Sequence, residues 1–117
     1  MKNLKLRLER IANVLDNKKA EQIELIELEG RDYIADAVVI ATSLNDRHGL
    51  SLLNELKNEL KPEGEEFVAI DDNTGEWVVV DLGDIIIHIM TLAYREKYTI
   101  EKFLEELKEG KLTPVAE

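Results

Sequence analysis

Residues 77–90 read WVVVDLGDIIIHIM, two runs of β-branched and aliphatic residues joined across a single glycine. A stretch of this kind folds as a β-hairpin, and little else can use it. Side chains alternate along a strand, so the turn length decides which residues share a face. With Leu82-Gly83 as a two-residue loop, Asp81 faces Asp84, Val79 faces Ile86 and Trp77 faces His88. One face then carries the polar and aromatic groups, and Val78, Val80, Ile85, Ile87 and Ile89 form an aliphatic wall on the other. A three-residue loop, Asp81-Leu82-Gly83, gives Gly83 the left-handed position, sets Trp77 opposite Ile87 and moves His88 to the other face. Turn chemistry favours the three-residue loop. The cost of burying Asp84 and His88 in an aliphatic wall favours the two-residue one.

Upstream, AVVIAT (37–42) is a continuous apolar run of strand length, as expected of a strand buried on both faces. IELIEL (23–28), closed by Gly30, and Phe67 to Ile70 add two further strands. Leu4, Leu8, Ile11 and Leu15 mark one face of a first helix. Leu52, Leu53, Leu56 and Leu60 mark a second, entered through a cap at Asn45 or Asp46, weakened by Gly49 and ended by Lys61-Pro62. TLAYREKY predicts a short helical turn. Thr99 is placed to cap a last helix with Ile100, Phe103, Leu104 and Leu107 on one face. The order α-β-β-α-β-β-β-α predicts an α/β (α+β) fold, a single mixed sheet of about five strands flanked by helices. One domain is expected over residues 1–109, with 110–117 as a loose tail.

Composition narrows the chemistry. There is no cysteine, which excludes disulfides and thiolate metal sites. No apolar run approaches the ~18 residues that span a bilayer, and the N-terminus lacks the pattern of a signal peptide, so a cytoplasmic protein is expected. The net charge of −10 repels bare phosphate and attracts a basic protein surface. Asp71, Asp72, Asp81, Asp84 and His88 offer metal-ligand chemistry. Yet adjacent Asp71 and Asp72 point to opposite faces, and aspartates beside turns have structural reasons to be there. With no G-x-S-x-G elbow, Walker motif or G-x-G-x-x-G, neither catalytic residue nor cofactor is expected. The alternative is a small nucleotidyltransferase or metal-dependent phosphoryl-transfer enzyme using Asp71, Asp72, Asp81 and Asp84. The tryptophan among Val and Ile on an acidic rim reads equally as an exposed interface anchor, for a partner or for a second copy of the chain, and as an ordinary core residue.

The hairpin signature, Trp77 through Asp81, Gly83, Asp84 and His88, followed by Arg95-Glu-Lys-Tyr98-Thr-Ile100-Glu101, resembles that of the ribosomal silencing factor (Iojap-like) family. Lys19 to Ile23, Val39 to Thr42 and Asp46-Arg47-His48 also fall where the family has similar residues, so the resemblance runs over roughly residues 3 to 108. Ser43, Asn45, Gln22 and Leu104 depart from the family's usual glycine, serine, aspartate and tryptophan. The resemblance implies a nucleotidyltransferase-like fold without catalytic equipment. It also implies binding to the large ribosomal subunit through a basic ribosomal protein, number fourteen, on the joining face, with the small subunit excluded. On that reading Trp77 is the apolar anchor, and Asp81 and Asp84 accept from Lys or Arg. Tyr98 extends the patch, and Arg95 pairs with a hairpin carboxylate. His88 and Asp46 are structural, Asp46 as a helix cap.

Overall fold

The computed structural model describes residues 3–28 and 35–108; Gly30 and the expected 110–117 tail lie outside them. Five strands form one mixed sheet: β1 (Glu21–Glu27), β2 (Ala37–Ser43), β3 (Ala69–Asp71), β4 (Trp77–Asp81) and β5 (Ile85–Thr91). Their order across the sheet is β1-β2-β5-β4-β3. Only β2 and β5 run parallel; the other neighbours are antiparallel. The central position of β2 explains its unbroken apolar sequence, since all seven of its residues are buried. The third strand begins two residues later than expected, at Ala69. Val68 still donates to the Asp81 carbonyl at 2.8 Å.

Helices α1 (Leu4–Asn17) and α2 (Asp46–Leu60) cover one face. They bury Leu8, Ile11, Val14 and Leu15, with Leu52, Leu53, Leu56 and Leu60, against Val39, Val78, Val80, Ile85, Ile87 and Ile89. Each such aliphatic side chain contributes ~1.5–3 kcal/mol on full burial, which makes this layer the main core. The expected short turn after β5 is a full helix, α3 (Leu92–Tyr98), followed by α4 (Ile100–Lys108). Thr99 joins them in the left-handed region (φ 43, ψ 44). Both lie on the second face, where Leu104 of α4 packs with Ile26, Leu28, Val38, Ile40 and Met90, and Trp77, Tyr94 and Ile100 are partly buried at the margin. Phe103 and Leu107, expected on the inner side of α4, fall outside the described side chains.

The hairpin follows neither expected turn. Trp77 pairs with Met90, Val79 with His88 and Asp81 with Ile86, and Leu82 donates to the Ile85 carbonyl at 2.9 Å. The loop is therefore Gly83-Asp84, one residue beyond the two-residue reading. Gly83 alone of the two has positive φ (96), the pattern of a type II′ turn, and Leu82 escapes strain by staying in the ladder. The register moves by two, so the faces keep the composition that segregation demanded. Trp77, Val79, Asp81 and His88 share one side; Val78, Val80, Ile85, Ile87 and Ile89 share the other.

The entry to α2 also corrects an expectation. Asn45, extended at φ −166, accepts from the His48 N–H at 2.8 Å, while Asp46 is the first helical residue and not the cap. A cap stands two or three residues before the amide it satisfies, in non-helical backbone, and Asn45 does. His48 Nδ1 accepts from the Leu44 N–H at 2.9 Å, and its Nε2 lies 2.7 Å from the Lys18 carbonyl, tying α1 to α2. Gly49 is a packing requirement: a Cβ there would lie 2.2 Å from the Gly75 carbonyl oxygen.

Candidate docking face

Strand alternation puts Trp77 and His88 on the same side of the sheet, on neighbouring strands. The Trp77 indole N–H donates to His88 Nδ1 at 3.0 Å. A ring nitrogen that accepts is unprotonated, so the neutral His88 carries its proton on Nε2. Burial pushes the His88 pKa down to about 4, which keeps the ring neutral and the bond intact near neutrality. The bond fixes the relative orientation of the indole and the His88 ring.

Helix α3 supplies the rest of the aromatic surface. Thr91 caps it, accepting from the Tyr94 N–H at 3.4 Å. Tyr98, 43% exposed, lies against the Trp77 ring with centroids 4.9 Å apart, and Tyr94 lies 5.7 Å from Tyr98. Lys97 sits over the Tyr98 ring, 5.4 Å from its centroid. Glu76, followed by desolvation, raises the Tyr94 pKa, which marks carboxylate charge beside that hydroxyl. Trp77 itself is half-buried, packed against the Met90 layer and in contact with Tyr98.

Arg95, expected as a partner-binding residue paired to a hairpin carboxylate, is 4% exposed and points inward. Its Nη1 donates to the Gln22 carbonyl and to Thr42 Oγ1, and its Nη2 lies 3.7 Å from Glu24. The reason lies in β1. The strand carries a bulge between Glu21 and Glu24, and Gln22 has positive φ (49). At this bulge the Gln22 carbonyl accepts from the Arg95 guanidinium, brought there by α3. Arg95 therefore braces α3, and with it Tyr94 and Tyr98, against the sheet.

The expected carboxylate cluster does not assemble. Asp81 shares the Trp77 face but accepts from the Gly83 N–H at 2.7 Å, completing the turn. Asp84 goes the other way, to α1, where Arg7 holds it at 2.6 and 2.9 Å. The same guanidinium grips Glu65 through two bonds of 2.9 Å. Arg7 holds the Asp84 carboxyl below its usual range, and Glu65 first, then Asp84, raise the Arg7 pKa. An acceptor committed to a forked internal pair is a poor hook for a partner, so Asp84 belongs to the scaffold. Arg7 itself was invisible as a site residue, because nothing local marks a helix arginine as a clamp. Among the described residues no group of three or more His, Asp or Glu is placed to hold a metal ion. No helix there is long and apolar enough to cross a membrane.

Comparison with known proteins shows the family. The family described as ribosomal silencing factor during starvation matches residues 2–117. A ribosomal silencing factor from Haemophilus influenzae is 36% identical over 95 residues, 80% of this chain and 93% of that protein. One from Halalkalibacterium halodurans is 31% identical over 96 residues, 81% and 82% of the two chains. A crystal structure of a Chromobacterium violaceum protein superposes with a TM-score of 0.79 at 26% identity, covering 94% of this chain and 89% of that one. With the family match spanning nearly every residue and the signature hairpin folded as described, the chain belongs to the ribosomal silencing factor family.

Proposed function

We propose that the protein binds the large ribosomal subunit at a basic ribosomal protein, number fourteen, on the joining face, and blocks docking of the small subunit. It thereby damps translation when nutrients are short, acting by occlusion and not by catalysis. One observation carries this reading: an aromatic surface of Trp77 and Tyr98, preset by His88 and Arg95, on a chain of net charge −10. Rigid aromatic anchors bind at low entropic cost, and the acidic field steers a basic protein while repelling exposed RNA backbone. Such a mechanism needs shape and charge only, and it runs in the cytoplasm where ribosomes are.

The test is co-pelleting with separated large and small subunits, combined with subunit joining followed by light scattering. The protein is expected to pellet with large subunits alone and to slow joining. Trp77→Ala, checked for folding by circular dichroism, is expected to weaken binding about 30-fold, the equivalent of ~2 kcal/mol at a hot spot. Tyr98→Ala, at an exposed position, should weaken it less. Undiminished binding by both folded variants would place the contact elsewhere. Sedimentation over a concentration range separates this reading from a homodimer that uses the same face.

A further inference from the structure

Beside Trp77 the docking face has a cleft of about 320 Å³ lined by Asp71, Asn73, Thr74, Trp77, Val79 and Tyr94. Its floor follows from sheet register. Asp71 pairs with Val79, and Val79 lies two residues from Trp77 on the same strand, so all three side chains share one face. Its lining thus includes an indole, a phenol and a carboxylate. At the low end of the ~300–1,000 Å³ typical of ligand clefts, it suits one side chain and not a segment of secondary structure.

The cleft is preformed. Gly75 is buried against the first turn of α2, so close that a Cβ would lie 2.1 Å from the Asp46 carbonyl oxygen. Thr74 Oγ1 accepts from the Glu76 N–H at 3.2 Å, and the Glu76 carbonyl accepts from the Thr91 N–H at 3.0 Å. The loop carrying Asp71 to Glu76 is thus fastened to both α2 and the start of α3. Its occupant can be named by charge. Glu76 acts on the Tyr94 hydroxyl, Asp71 lines the cleft, and Asp72 is exposed next to it. The chain's own Lys97 lies over the neighbouring Tyr98 ring, so one ring of this cluster already holds a cation.

We propose that the cleft seats the guanidinium of an arginine from the docked protein, stacked on Trp77 or Tyr94 and hydrogen-bonded to Asp71. A planar, weakly hydrated guanidinium can stack and donate two parallel bonds to one carboxylate, which an ammonium cannot. A nucleobase would stack equally well, but its phosphates would meet Asp71, Asp72 and Glu76. The inference rests on the docking reading above and adds the chemistry of the partner's side chain.

Two experiments keep the two readings apart. In large-subunit pelleting, Asp71→Asn and Tyr94→Leu are each expected to weaken binding by about fivefold to thirtyfold, the range of a desolvated cation–π and charged hydrogen-bond contact. If both bind as wild type while Trp77→Ala does not, the arginine seat is overturned and the docking reading stands. Independently of the ribosome, the single tryptophan reports on the cleft. Fluorescence is titrated at low salt with acetyl-Gly-Arg-Gly-amide, with the same peptide carrying citrulline, and with oligouridylate. A saturable response to the arginine peptide, absent with citrulline and abolished in Asp71→Asn, upholds the seat even if the ribosome does not bind. Equal responses to both peptides, no response, or a stronger response to the oligonucleotide overturns it.

Discussion

The bond between Trp77 and His88 ties stability to pH. In the folded chain the His88 pKa lies at about 4, displaced from 6.5 by burial. In the unfolded chain the ring is solvated and titrates near its ordinary value. Between those limits the unfolded state takes up a proton that the folded state refuses, so stability rises with pH across the window. Above pH 6.5 the ring is neutral in both states and the term is fully present. As pH falls from 6.5 to about 4 it is lost, and below that both states are charged. At about 1.4 kcal/mol per pH unit, the loss sums to roughly 3 kcal/mol. Carboxylates titrate in the same region, so the wild type is to be compared with His88→Asn, whose side-chain oxygen can still accept from the indole. Urea unfolding followed by far-UV circular dichroism at pH 7.5, 5.5 and 4 gives the difference directly. The wild type should lose about 3 kcal/mol more than the variant over that interval. The Trp77 emission of folded protein should change with a midpoint near 4, when Nδ1 is protonated and can no longer accept. A flat difference, or an emission midpoint at 6.5, would refute the burial argument.

Arg7→Met leaves Glu65, whose side chain is 8% exposed, with a desolvated and unpaired carboxylate. It should cost about 2 kcal/mol in urea denaturation, with large-subunit binding preserved in the folded fraction. Gly75→Ala forces apart the loop and α2, since its Cβ would lie 2.1 Å from a backbone oxygen. The melting temperature should fall by on the order of 10 °C, the equivalent of ~2 kcal/mol or more. Ser43→Ala goes the other way. The Ser43 hydroxyl is buried without a hydrogen-bond partner among the described residues, so its removal should stabilise the protein by about 1 kcal/mol in the same assay.

Reading the sequence worked where a signal was local and periodic. Leu8, Ile11 and Leu15 announced α1 by helical spacing, and β2 announced its central place by having no polar position between Ala37 and Ala41. Of the two hairpin readings left open, segregation of polar from apolar residues gave the observed faces, although the turn itself sits one residue further on. Whether Trp77 and His88 share a face was left open by the sequence, since a three-residue turn would have parted them. What the aromatic pair stands next to was not legible at all. Tyr98 reaches Trp77 only because α3 is a complete helix ending in a left-handed Thr99, and TLAYREKY alone suggested a single turn.

The charged residues divide along the same line. Asp81, Asp84 and Arg95 looked alike in sequence, polar groups around one hairpin, yet the fold gives them three fates. Asp81 closes its own turn, Asp84 is clamped by α1, and Arg95 is buried against β1 and β2. The deciding partners are 77 residues away for Asp84 and 53 for the Thr42 contact of Arg95. An ion pair across such a separation has no period and no spacing rule; it exists only after the core has brought the elements together. Which residues are strand, helix and core is decided by backbone sterics and the exclusion of apolar groups from water, both of which act on short stretches of chain. Which charges remain free to meet a partner is decided by tertiary packing, because a charge is spoken for only by what lies next to it in space.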